Sequence, residues 1–147
     1  MGGIVEFFLT EDRKKNRVNL RKSKLLIRAS LLTSLFSSTY LVLSLTFDFD
    51  IGVKLMAFNV IGFLLLPFFL KFKISINGIG NLYVFVGGIA VMILAYASGG
   101  IFSAIYPWII SIPILALLVV NRKSAIFWGI ISFAVMLGMG ISRYLWF

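Results

Sequence analysis

From Leu25 onward, apolar residues run almost without interruption, and polar residues gather only in short connectors. The runs fall at about 25–47, 51–70, 82–97, 105–120 and 125–146. A helix needs roughly 20 residues to cross about 30 Å of hydrocarbon, so runs of this length predict membrane-spanning helices. The third and fourth runs are at the short end. The pattern therefore predicts an all-α, polytopic transmembrane bundle of about five spans (residues 25–147), preceded by a basic cytoplasmic segment over residues 1–24. Within that segment only Ile4 to Leu9 is apolar.

Composition agrees with a single membrane domain. The chain is 61% hydrophobic and 13% charged, against roughly 45–50% and 25% in soluble domains. In 147 residues a soluble fold lacks the interior volume to hide that much apolar surface, and lipid removes the need to hide it. About twenty-four polar-to-basic residues precede the first long run and no small-x-small site closes it, which argues against a cleaved signal peptide. Met1-Gly2 fails as a myristoylation motif because position 6 is Glu.

Charge then sets the expected orientation. Arg13, Lys14, Lys15, Arg17, Arg21, Lys22 and Lys24 precede the first span, and Arg28 follows one turn later. Lys71 and Lys73 follow the second span, and Arg122 and Lys123 the fourth. In this arrangement 12 of the 14 bases share one side, leaving Lys54 and Arg143 opposite. Excess Lys and Arg mark the cytoplasmic side, so the N-terminus is expected inside and Phe147 outside after five spans. The basic residues would contact anionic lipid head groups rather than nucleic acid.

Chemistry is scarce. With no Cys and no His, disulfides, thiol chemistry and haem or zinc sites built on those ligands are excluded. No catalytic residue, metal site or cofactor is expected. The acids are Glu6, Glu11, Asp12, Asp48 and Asp50, none at the middle of a span, where a proton relay would place one. Asp48 and Asp50, two apart in a connector, make a weak carboxylate pair. A membrane enzyme is thus disfavoured. A small transporter or channel subunit is the alternative reading, without a visible internal repeat to support it.

Small and polar residues within the spans point to helix packing. Ser30, Thr33, Ser34, Ser37, Ser38 and Ser44 mostly follow helical spacing along span one, and such stripes let helices approach and hydrogen-bond in lipid. A polar ligand groove is the alternative. Ala134, Gly138 and Ser142 form a small-xxx-small face on span five, suited to bundle packing or to a homodimer. Gly87 and Gly88 weaken span three but permit close approach. Asn59 is a lone amide in span two, expected to bond a neighbouring helix or, less simply, a ligand. Pro67 and Pro113 remove helix hydrogen bonds and favour kinks.

The segment 95–128 holds the most specific pattern: a Ser98-Gly99-Gly100 turn, Ser103, an aromatic belt of Tyr96, Tyr106 and Trp108, then Pro113 and the basic stop at Arg122. With Gly80-Asn81-Leu82 at the opening of span three, this resembles the N-terminal multi-span membrane domain of bacterial sensor histidine kinases and class III nucleotidyl cyclases, over roughly residues 20–135. Ala104 stands where that family often has proline, and Asn121 where it has glycine. The resemblance implies a sensor or anchor module in the bacterial inner membrane. It also implies a homodimer that passes a ligand- or membrane-induced rearrangement to a cytoplasmic kinase or cyclase output domain. Such an output domain is not among these 147 residues, so the chain is expected to be a receptor fragment or a free-standing relative. Ser98, Gly99, Gly100, Ser103, Tyr106, Trp108, Pro113 and Asn59 are then the candidate ligand-binding or signalling residues.

Overall fold

In the computed structural model the described residues are 2–11, 15–72 and 74–145, with the side chain of Arg143 excluded. Arg13, Lys14 and Lys73, assigned above to the basic side, lie outside them. Among the described residues the fold is all-helical, with no strand. The elements are α1 (Gly2–Phe7), α2 (Arg17–Thr46), α3 (Asp50–Phe69), α4 (Ile76–Ala97), α5 (Ser111–Val119) and α6 (Arg122–Leu145), with 3-10 helices at Gly100–Phe102 and Tyr106–Ile110. Four helices, Arg17–Thr46, Asp50–Phe69, Ile76–Ala97 and Arg122–Ser142, are long and apolar enough to cross a membrane by length and composition.

Two of the expected boundaries shift, each for a local reason. α2 starts at Arg17 rather than Leu25, because Asn16 caps it: its side chain accepts a hydrogen bond from the Val18 N–H at 3.0 Å. The basic cluster from Arg17 to Lys24 therefore lies on the first turns of the same helix. α4 starts at Ile76 rather than Leu82, capped by Ser75 Oγ accepting from the Gly78 N–H at 3.1 Å. Asn77, Gly78, Gly80 and Asn81 depress the local hydropathy yet stay helical. Gly80 lies against another part of the chain, where a Cβ would fall 2.9 Å from Val120 Cγ2 and 3.1 Å from the Val119 carbonyl oxygen.

The expected fourth span is the shorter apolar stretch Tyr106–Val119. Its first five residues are 3-10 and the next nine α-helical. At about 2.0 and 1.5 Å rise per residue these give roughly 24 Å, short of the roughly 30 Å of hydrocarbon. The tighter winding lengthens a segment that would be shorter still as α-helix throughout. The change of winding falls between Ile110 and Ser111, two residues before Pro113, so the proline sits in the first turn of α5 rather than as a kink at mid-helix.

The surface is the reverse of a soluble protein's. Leu32, Leu35, Phe36, Phe58, Leu117 and Phe133 are exposed, whereas Ser30, Ser34, Ser37, Asn59 and Ser132 are buried. Lipid tails solvate the first set, and close helix contact accommodates the second. Packing is most extensive between α2 and α3, then between α5 and α6, with α4 lying between the two hairpins. The N-terminal apolar patch is not a free tail. Val5, Phe8 and Leu9 join the core cluster, the Phe8 ring meets Phe68 edge-on at 5.0 Å, and Lys71 Nζ lies 3.6 Å from the Phe7 ring centroid.

Chain direction defines two ends. At one end Lys22 Nζ on α2 donates to Asn77 Oδ1 (3.2 Å) at the start of α4 and to the Val120 carbonyl (2.7 Å) at the end of α5. This is the basic end. The opposite end carries the Asp48 turn and the Gly99-Gly100 turn.

Candidate functional site

The glycine-turn end gathers most of the residues singled out from the sequence. Gly99 (φ +121°) and Gly100 (φ +62°) reverse the chain after α4. A side chain is strained at both angles, so this turn needs glycine. The Gly100–Phe102 3-10 helix follows and brings Ser103 back over the end of α4.

The hydroxyls of this turn form a closed relay. Ser98 Oγ donates to the Leu94 carbonyl, one turn back in α4. Ser98 and Ser103 oxygens are 2.6 Å apart, and because Ser98's single hydrogen is already placed, Ser103 is the donor. Ser103 Oγ in turn accepts from the Ile105 N–H at 3.0 Å. Each hydroxyl hydrogen therefore has a protein acceptor. The relay fixes the turn, and neither serine has a hydrogen left to donate to a ligand.

Tyr106 connects this turn to α6. Its hydroxyl donates to the Met136 carbonyl at 3.2 Å, a carbonyl well inside α6. Trp108 is 60% and Tyr96 69% exposed, positions that suit an aromatic belt at a membrane interface. Ser111 Oγ donates to the Trp108 carbonyl at 2.6 Å, holding the switch from 3-10 to α winding. Pro113 lies against α6, where a Cβ on Gly129 would be 3.7 Å from Pro113 Cβ. The turn residues and Tyr106 are thus brought together and tied to α6, while Trp108 faces outward.

Asn59 is elsewhere. It is buried at mid-α3, and its Oδ1 has no hydrogen-bond partner. At the next residue, Ser34 Oγ of α2 donates across to the Val60 carbonyl of α3 at 3.2 Å. Ser30, Ser34 and Ser37 are buried on that side of α2. Thr33 makes a second cross-link: its hydroxyl donates to the Ala29 carbonyl, so the 2.8 Å contact with Tyr83 on α4 has the tyrosine as donor. Gly88 is buried against Ile112, and a Cβ on Gly87 would lie 3.1 Å from Phe63, so both glycines sit at close helix contacts. In contrast, Ala134, Gly138 and Ser142 are all exposed, and a Cβ on Gly138 meets nothing within 4 Å.

Sequence reasoning did not find the Lys22 strap, the Tyr83–Thr33 bond or the Tyr106–Met136 bond. Lys22 was one cation in a cluster with no mark to distinguish it. Asn121 has a local role: its Oδ1 accepts from the Ser124 N–H at 2.9 Å, capping α6 where the resembled family has glycine. Among the described residues no group of three or more Asp or Glu is placed to hold a metal ion. No protein-family model, curated protein or solved structure matches this chain.

Proposed function

We propose that this chain is a membrane sensor or anchor module of a bacterial signalling receptor, of the histidine kinase or nucleotidyl cyclase type, in the inner membrane with its basic end cytoplasmic. It acts as a homodimer, and a rearrangement of its helices is passed to a kinase or cyclase output domain outside these residues. The observation that carries this reading is the Tyr106 hydroxyl bonded to the Met136 carbonyl. Through it, the turn at one end of the bundle is mechanically joined to α6, which keeps an exposed face of small residues available for a second copy. A ligand or a change in the bilayer acts only by favouring one of two arrangements, and α6, with an exposed face and polar ties at Tyr106 and Asn81, is the helix assigned to that change.

The test uses the absence of native cysteine. Single cysteines at Ala134, Gly138 and Ser142 are cross-linked in native membranes, with and without Tyr106→Phe. Disulfide-linked dimers are expected at these positions, and Tyr106→Phe is expected to change which position links best. Absence of dimers, or the same pattern with and without Tyr106→Phe, would overturn the reading.

A further inference from the structure

The basic end holds a feature that signalling does not require. α4 and α6 run in the same direction from this end and touch each other only slightly. Between their first turns lies a groove of about 590 Å³, lined on one side by Asn81 and Phe85 and on the other by Lys123, Ser124, Phe127 and Trp128. Its chemistry is graded along the helix axes. Lys123 and Ser124 stand at the start of α6, and Phe127 follows one turn further in. Phe85 is one turn beyond Asn81 on α4. The graded stretch, from the level of Gly78 to that of Phe85, is about 10 Å long at 1.5 Å per residue.

We propose that this groove binds one anionic phospholipid, with the phosphate beside Lys123 and Ser124 and the first part of an acyl chain against Phe85 and Phe127. The polar mouth lies at the end where Lys22 and Lys123 sit, and the apolar floor runs toward mid-bundle. That is the order of groups along a phospholipid, from interface to hydrocarbon. Charge selects among lipids. The lining contains a lysine and no acid, so the cationic head of a zwitterionic lipid finds no counter-charge there, while a net negative head group does. The positive end of the α6 dipole adds to the same preference. Trp128 forms the wall: it is buried, its indole N–H donates to Asn81 Oδ1 at 3.4 Å, and its ring meets Phe85 at 6.3 Å. The bond and the ring contact join α4 to α6 across the groove.

Trp128 also reports on occupancy. The full chain with Trp108→Phe and Trp146→Phe is reconstituted into phosphatidylcholine vesicles. These contain, at equal mole fraction, phosphatidylglycerol or phosphatidylcholine with brominated acyl chains. Brominated phosphatidylglycerol is expected to quench Trp128 with about five-fold higher apparent affinity. That factor corresponds to about 1 kcal/mol per basic residue at a membrane surface. Lys123→Ala is expected to remove the difference, while Arg21→Ala on the outside of α2 leaves it. Equal quenching by the two lipids overturns the proposal. So does a preference that survives Lys123→Ala, which would assign it to the general basic collar. Quenching that falls as protein density rises would mean that a second copy, rather than lipid, fills the groove.

Discussion

The two helical hairpins of this bundle are built from similar residues and held together differently. In the α2–α3 hairpin, extended by α4, hydroxyls cross between helices: Ser34 reaches the Val60 carbonyl and Tyr83 reaches Thr33. Large rings fill the space between, with Phe63 1% exposed and 5.1 Å from the Tyr83 ring. In the α5–α6 hairpin contact is mostly apolar, and the Tyr106 bond is the cross-link described there. Burial follows the same division: 33% of the apolar window of α3 is buried but only 17% of that of α6. Because lipid is as apolar as leucine, burying an apolar side chain adds little by itself in a membrane. Tight fit and hydrogen bonds decide which helices stay together. The first hairpin has both, whereas α6 buries the smallest share of its apolar window among the four long helices.

Removing a ring from each hairpin should separate them most widely. Phe63→Ala leaves a cavity beside Tyr83 and Gly87, and is expected to cost about 3 kcal/mol. That is the low end for Phe→Ala, because the ring is transferred to lipid rather than water on unfolding. Phe133→Ala on the exposed face of α6 is expected to change stability by under about 0.5 kcal/mol. Unfolding in mixed micelles measures both, and similar losses would end the distinction between the two hairpins.

The first hairpin was also the more legible in the sequence, and the reason is physical. Hydroxyls at helical spacing in an apolar run have few favourable places other than a helix contact, so Ser30, Ser34 and Ser37 announced their burial. Ala134, Gly138 and Ser142 have equally good spacing yet are exposed. Spacing reports which residues share a face, not which face is covered. The start of α4 was hidden because hydropathy counts Asn77, Gly78, Gly80 and Asn81 as breaks. In the fold Gly80 is needed for the approach of Val119 and Val120, and Asn77 receives Lys22. The Gly99-Gly100 turn was readable from residue type alone, whereas the Ser98–Ser103 relay depends on the path that the turn gives the chain.

The junction between the hairpins depends on Lys22, which bonds Asn77 and the Val120 carbonyl just past α5. Lys22→Met keeps the aliphatic stem and removes the charged donor. The expected loss is about 1.5 kcal/mol, typical of a hydrogen bond from a charged group, against under about 0.5 kcal/mol for the exposed Arg21→Met. Thermal unfolding in detergent compares the two. Equal effects would mean that the strap adds nothing beyond the general charge of that end.

Two tyrosines give a finer contrast. Tyr83→Phe and Tyr106→Phe each remove one interhelical hydrogen bond, and each is expected to cost about 0.6 kcal/mol, the average found for such bonds in membranes. Their local effects should differ. Beside Tyr83, the Ser34 bond still holds α2 to α3, so amide exchange there should barely change. Beside Tyr106, exchange around Met136 is expected to rise, since the lost bond is the one that ties α6 to the turn. Equal exchange at the two sites would mean that apolar packing alone restrains α6.

The smallest expected effect concerns sign rather than size. Ser34→Ala deletes a bond between helices and should destabilise by a few tenths of a kcal/mol, up to about 1. Ser132 is buried on α6, but its hydroxyl has no hydrogen-bond partner. A buried hydroxyl without a partner carries a desolvation penalty, which alanine removes along with little volume. Ser132→Ala is therefore expected to be neutral or stabilising by up to about 0.5 kcal/mol, measured in the same micelles as Ser34→Ala. Opposite signs for two serine-to-alanine changes of equal burial would locate the difference between the hairpins in hydrogen bonding rather than in composition. A loss at Ser132 matching that at Ser34 would mean that α6 is bonded into the bundle as firmly as α2, and the two hairpins would no longer differ in hydrogen bonding.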